Sequence, residues 1–288
     1  QIVATEKIIN RIETSTNYKK YWTIDAGGYV WHTTWSGKTL TSFKTAQLAS
    51  KLPTIDKVLF IVDRKDLDYQ TMKEYDKFEK WAANSNTSTA KFQKQLEDPN
   101  AKIIITTIQK LDKFIKKNKD HTIFDWHIVL IFDECHRSQF GDMHKAIIKA
   151  FKKYHIFGFT GTPIFAINSS SGGHPDLKTT EQAFWEKLHT YTIVDAIADK
   201  NVLRFKVDYI STIKEAENIE DEQVKNIDRE KALSAPKRIK NIVQYIREHF
   251  DQKTKRNSFY SLKERRLRGF NSLFAVSSID MAKLYYTE

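Results

Sequence analysis

Thr33-Thr34-Trp35-Ser36-Gly37-Lys38-Thr39 follows a short apolar segment, Gly28-Tyr29-Val30-Trp31, and precedes residues 40–48, whose apolar spacing predicts a helix. Strand, glycine-containing loop and helix, in that order, make a P-loop. There, backbone N–H groups and the helix N-terminus cradle phosphates, a lysine reaches the β/γ-phosphates and a hydroxyl binds Mg²⁺. Those roles fall to Gly37, Lys38 and Thr39. Further along, Ile128-Val129-Leu130-Ile131-Phe132 is an unbroken apolar run, as expected of a strand covered on both faces of a parallel sheet. It closes on Asp133-Glu134-Cys135-His136, at the carboxyl end of the strand, where open α/β sheets bind ligands. Asp133 is placed to hold Mg²⁺ through water, and Glu134 to orient or activate an attacking water. Either segment alone is compatible with an ordinary Gly-Lys-Thr turn or an acidic strand end. Together, in this order, they point to a site for ATP and Mg²⁺.

Outward from these two segments the same alternation repeats. Residues 57–63, 102–107 and 156–160 are further apolar strands, and residues 2–12, the stretch after Leu67 through Tyr75, the residues from Ile108 and residues 143–154 have helical spacing. Strands alternating with helices of this length predict right-handed crossovers and an α/β fold with a doubly wound, mainly parallel sheet and flanking helices. Residues 161–178, rich in Ser, Gly and Pro, read as an irregular loop, 190–201 as an amphipathic helix and 203–210 as a strand. The charged stretch 214–231 reads as surface or linker. A helix over 237–250, a strand over 271–277 and a helix from Ile279 look like the opening of a second α/β domain that stops too soon for a sheet of normal width, so the chain is expected to be a fragment. The expected division is a first domain over 1–210, a linker over 211–236 and the beginning of a second domain over 237–288.

Composition narrows the class. The chain has 288 residues, is 40% hydrophobic and carries eighteen Phe and twelve Tyr, enough to fill a core. No stretch approaches the roughly 20 apolar residues of a membrane span, and no signal-peptide pattern opens the chain. One cysteine, Cys135, excludes an intrachain disulfide or a cysteine-based metal cluster and fits a reducing cytoplasm. A formal charge of +11 and a pI near 9.4 suit a polyanionic partner, although solvated lysines would give the same figure. Lys113, Lys116, Lys117 and Lys119 form one basic cluster. Lys253, Lys255, Arg256, Lys263, Arg265, Arg266 and Arg268 form another, which reads as a basic loop.

Six segments in succession resemble the motifs of superfamily 2 DNA helicases and translocases. They are Gln1-Ile2-Val3-Ala4, the run from Trp31 to Thr39, Val62-Asp63-Arg64-Lys65-Asp66-Leu67, Thr106-Thr107-Ile108-Gln109-Lys110-Leu111, Asp133-Glu134-Cys135-His136-Arg137-Ser138 and Gly158-Phe159-Thr160-Gly161-Thr162-Pro163. Their wording is similar to that of the restriction subunit of type I restriction-modification enzymes, over nearly the whole chain. Phe274-Ala275-Val276-Ser277-Ser278 resembles the first motif of that family's second motor domain. The resemblance implies a RecA-like first domain and the start of a second. It also implies double-stranded DNA as partner, together with modification (methyltransferase) and specificity subunits. Carried over by position, Gln1 would bond adenine. Thr34, Ser36, Gly37, Lys38 and Thr39 would bind nucleotide, with Lys38, Asp133 and Glu134 catalytic and Thr39 and Asp133 on the metal. Arg64, Asp66, Thr107 and Gln109 would lie along the DNA backbone, and Thr160 and Thr162 would couple nucleotide state to DNA grip. Surface solvation would account equally for Arg64 and Gln109, a solvated terminus for Gln1 and core packing for His136.

Two departures from the family qualify this. Trp35 stands where relatives carry Gly, and any positive φ required there would cost about 1 kcal/mol or more. Second, the upstream nuclease domain and the later motor motifs, including the arginine finger, have no counterpart in this sequence. The expectation is therefore a translocase module that neither cleaves DNA nor turns over ATP efficiently by itself. Other readings are a superfamily 2 helicase or remodeller of another branch, or a catalytically silent DNA-binding or assembly scaffold. A metabolic P-loop kinase would have no use for Gly161-Thr162-Pro163.

Overall fold

The continuous apolar runs are buried on both faces, and this sets the architecture. In the computed structural model, residues 1–33, 36–62, 84–85, 89–137, 142–169, 178–212, 229–262 and 265–288 are described. Thr34, Trp35, Arg64, Asp66, Ser138, the helix expected before Tyr75 and most of the 214–231 segment lie outside them. The chain divides into two compact units, Gln1–Arg204 and Phe205–Glu288.

In the first unit the strands are β1 (Gly28–His32), β2 (Lys57–Val62), β3 (Asn84–Ser85), β4 (Ile103–Thr107), β5 (His127–Asp133), β6 (Lys153–Thr160) and β7 (Lys187–Tyr191). They form one sheet in the order β3-β4-β2-β5-β6-β1-β7, and every pairing is parallel. The sheet is doubly wound, with helices on both faces. Alternation along each strand sorts the core. Val58, Phe60, Val62, Ile103, Ile105, Val129, Ile131, Phe157 and Phe159 join Ala4, Ile8 and Ile12 of α1 (Ile2–Asn17) and Phe43, Ala46 and Ala49 of α2 (Lys38–Ala49). Their neighbours Leu59, Ile61, Ile104, Ile128, Leu130, Phe132 and Ile156 point the other way. They pack with Phe92 and Leu96 of α3 (Thr89–Glu97), Leu111 and Phe114 of α4 (Ile108–Lys117), Ile147 of α5 (Asp142–Ala150) and Phe184 of α6 (Thr180–Phe184). No helix among the described residues is long and apolar enough to cross a membrane.

Several expected boundaries move. The helix expected over 143–154 ends at Ala150, because Tyr154 is in β6 opposite Ile128. The helix expected over 190–201 is displaced by β7, whose Thr190 and Tyr191 pair with Trp31 and His32. Only α7 (Ile193–Ala198) follows it, capped by the Thr192 hydroxyl on the Asp195 N–H. Residues 203–210 form no strand, and neither do 271–277, because no neighbouring strand among the described residues offers them a ladder.

The second unit holds α8 (Arg229–Leu233), α9 (Pro236–Lys253) and α10 (Ile279–Thr287), the last capped by the Ser278 hydroxyl. Between α9 and α10, where a basic loop was expected, lies an antiparallel hairpin of β8 (Phe259–Leu262) and β9 (Arg265–Arg268). Gly269, at φ 63°, ends β9, and the next N–H, that of Phe270, donates to Thr254 O at 2.7 Å.

Two of the first unit's buried histidines, His155 and His144, illustrate why it is sensitive to acid. His155 places Nδ1 3.0 Å from Ala26 O and Nε2 2.9 Å from His127 Nε2, and His144 packs against Phe132 and Phe184. Burial lowers both His155 and His144 to about 4, so each is neutral when folded. Unfolded, each titrates near 6.5, so below that pH the unfolded chain binds more protons. The stabilisation is complete above about pH 6.5 and is lost as the pH falls toward 4. Denaturant titrations should give a stability about 2 kcal/mol lower per histidine at pH 5 than at pH 7.5. His144→Leu should remove its share of that difference, and an unchanged difference would refute the assignment.

Candidate functional site

The strand order brings the two sequence segments together. β6 lies between β5 and β1, so the residues after β1, β6 and β5 meet along one carboxyl edge of the sheet. Lys38, in the first turn of α2, sets its ammonium against Glu134 Oε1 and 3.5 Å from Asp133 Oδ1. The side chains are largely enclosed, with Lys38 12% and Asp133 14% exposed. Glu134 adopts a left-handed φ of 47°, unusual for a residue with a Cβ, and its N–H donates to Asp133 Oδ1 at 3.0 Å. Burial raises the pKa of Asp133, with the Glu134 charge acting in the same direction, while Lys38 pulls it back. A cation at this point would favour the ionised carboxylate further. Burial also pushes the Cys135 thiol well up, so it stays protonated and serves packing.

The loop before α2 is built around Gly37, its N-cap, at φ 77°. A Cβ there would lie 1.9 Å from Gln1 Nε2, because the Gln1 amide crosses the loop and donates to Ser36 O at 3.1 Å. Gln1 is thus held against the loop. Ser36 Oγ is buried and has no hydrogen-bond partner among the described residues, which leaves an acceptor and donor available inside the loop. Thr39 is half-buried in the same helical turn as Lys38. A left-handed glycine, an enclosed lysine facing two carboxylates and an unspent hydroxyl are donors of the kind that phosphate and Mg²⁺ require.

Beside the carboxylates, His136 Nδ1 lies 2.9 Å from Thr160 Oγ1 and 3.6 Å from Glu134 Oε2. Thr160 Oγ1 also accepts from the Thr162 N–H at 3.0 Å. The end of β5 is thereby joined to the end of β6 through side chains.

Residues 1–238 match the SWI2/SNF2 ATPase family model. The endonuclease subunit of the type I restriction enzyme SsaAORF53P of Staphylococcus saprophyticus is 43% identical over 99% of this chain, which spans 29% of that relative's length. The C-terminal part of the putative type I restriction enzyme MpnIIP endonuclease subunit of Mycoplasma pneumoniae is 51% identical over 52% of this chain and 76% of its own length. The chain belongs to the SWI2/SNF2 ATPases and to the type I restriction endonuclease subunit family. Among solved structures, a nuclease-deletion mutant of the type ISP restriction-modification enzyme LlaGI, in complex with a DNA substrate mimic, gives a TM-score of 0.47 at 15% identity over 84% of this chain and 22% of that one.

In this SWI2/SNF2 ATPase region the other expected site residues separate by environment. Thr107 is 1% exposed, and its hydroxyl caps α4 by accepting from the Lys110 N–H, whereas Gln109 two residues on is exposed. Thr160 is fully buried and Thr162 is exposed. Two contributors were not singled out from sequence. Trp31 donates its indole N–H to Gly161 O at 3.2 Å and packs edge-on against Phe165, pinning the loop after β6 to β1. His32 sets Nε2 2.9 Å from His189 Nδ1 across the β1–β7 pair. Burial, and then the neighbouring His189, lower His32 to about 4, so the residue leading into the P-loop is neutral. Both lie in the motif run from Trp31 to Thr39, which gave neither a role of its own.

The packing of Gln1 on Gly37 is testable. Gly37→Ala should lose about 1–2 kcal/mol in a denaturant titration, from the left-handed backbone, and release the Gln1 amide. Gln1→Ala should lose less than about 0.5 kcal/mol, since it removes a single contact made by an exposed side chain. Equal stability of Gly37→Ala and wild type would contradict the geometry.

Proposed function

We propose that this chain is the ATP-dependent double-stranded DNA translocase motor region of a type I restriction enzyme's restriction subunit. The observation that carries the reading is Lys38 enclosed between Asp133 and Glu134 beside a left-handed glycine loop. Bound Mg·ATP would supply the phosphoanhydride to be cleaved and the cation that shields its charge. Lys38 exchanges its carboxylate partners for the β/γ-phosphates, releasing Glu134 to orient the attacking water. Thr39 and Asp133 would hold the metal, with Ser36 and Thr34 on the phosphate side and the Gln1 amide on adenine. The His136–Thr160–Thr162 chain carries the state of Glu134 to the loop after β6, and Trp31 ties that loop back to the strand feeding the P-loop. Gln109, Arg64 and Asp66 are assigned to the DNA backbone. Thr107 acts indirectly, by holding the start of α4. In the complete subunit, modification and specificity subunits are the protein partners and duplex DNA is the substrate.

Titration calorimetry of Mg·ATP into the chain tests the nucleotide half of this reading. Lys38→Ala should weaken binding at least tenfold, as expected for loss of a charged phosphate contact. Trp35→Gly should tighten it. Unchanged affinity in Lys38→Ala would remove the basis of the assignment.

A further inference from the structure

The hairpin in the second unit presents one face that the packing of that unit does not use. Cross-strand pairing sets Phe259 opposite Arg268 and Ser261 opposite Arg266, so these four residues share a face. All four are exposed, with Phe259 56% accessible. The other face is turned inward: Tyr260 stacks on Phe270 at 4.6 Å, and Leu267 is half-buried. The two guanidinium groups are held rather than loose. Arg266 lies 4.2 Å and Arg268 5.7 Å from the centre of the Phe259 ring. Arg268 also donates Nε to Arg256 O at 3.0 Å and Nη2 to Asn257 Oδ1 at 3.3 Å. Of the nearby cations, Lys253 pairs with Asp208 and Arg256 with Asp251. Arg266 and Arg268 have no carboxylate partner among the described residues.

We propose that the Phe259–Arg266–Arg268 face of this hairpin is a nucleic-acid backbone site. Two residues of strand separate the arginines by about 6.6 Å, comparable with neighbouring phosphates on one strand. A guanidinium offers the fork that grips phosphate oxygens in pairs. Stacking on Phe259 fixes those forks in advance and lowers the ordering cost of binding. The exposed ring adds a sequence-tolerant surface for a sugar or base. The choice of nucleic acid over another polyanion rests on the motor reading above. None of the residues assigned above to the nucleotide site lies in this hairpin, so the two can fail separately.

The test is fluorescence anisotropy of the full chain with a labelled 30-base-pair duplex over a series of NaCl concentrations. The Arg266→Gln, Arg268→Gln double variant should bind at least tenfold more weakly at 100 mM salt. Its slope of log affinity against log salt should be shallower by about 1.8, the value for two lost phosphate contacts. Arg266→Lys with Arg268→Lys should keep most of the slope while losing affinity. Lys149→Gln with Lys152→Gln, a charge-matched change at the opposite edge of the first unit's sheet, should have a smaller effect. An affinity and slope equal to wild type, or a loss no larger than in the lysine control, would overturn the proposal. So would displacement of the duplex by poly-glutamate at equal charge concentration, which would assign the face to an acidic protein. Unchanged Mg·ATP binding in the arginine variant should show that the fold is intact. Loss of DNA affinity with no Mg·ATP binding even in wild type would sustain this site and reject the motor reading.

Discussion

Everything at the site depends on parallel strands that are covered on both faces and end along one edge. Because β6 is flanked by β5 and β1, the Asp133-Glu134 pair, the Thr160 hydroxyl and the Gly37–Lys38 loop converge there. A charged lysine and two carboxylates can be enclosed only if they answer one another, since an isolated buried charge costs several kcal/mol. Their mutual contact is therefore what enclosure requires. Desolvation has already made the ionised form of Asp133 less favourable, and an added cation would relieve that.

The same edge explains why side chains distant in sequence act on each other. His136 and Thr160 are brought within 2.9 Å by the β5–β6 register, and the Trp31 indole reaches Gly161 O because β1 lies on the other side of β6. A displacement at Glu134 has a short physical route to the loop after β6. It runs from Glu134 Oε2 over 3.6 Å to His136 Nδ1, from there over 2.9 Å to Thr160 Oγ1, and ends at the Thr162 N–H, which donates to Thr160 Oγ1 at 3.0 Å.

Much of this was legible in the sequence, for identifiable reasons. A strand buried on both faces has to be apolar throughout, so residues 57–62, 103–107 and 128–132 declare themselves, and Gly37-Lys38-Thr39 and Asp133-Glu134 mark which ends carry chemistry. Thr190 and Tyr191, the end of β7, read as the start of a helix because β7 is an edge strand with only Leu188 fully buried, and Thr190 to Ala198 spaces its apolar residues helically. The β8–β9 hairpin was read as a loop because its strands carry arginine where a core-facing strand carries valine or isoleucine. The left-handed backbone at Glu134 and the contact of Gln1 with the P-loop left no mark, since both arise from tertiary crowding rather than local spacing. Thr107, grouped with DNA-facing residues by its motif, is committed to capping α4, a distinction that only burial shows.

The most direct measurement is a crystal structure of this chain grown with Mg²⁺ and a non-hydrolysable ATP analogue. The expected result is a nucleotide lying across the Gly37 loop with Lys38 Nζ transferred from Glu134 to the phosphate oxygens and Thr39 and Asp133 facing the metal. A nucleotide bound elsewhere, or Lys38 still held by Glu134 at saturating analogue, would contradict the assignment of this edge as the motor's ATP site.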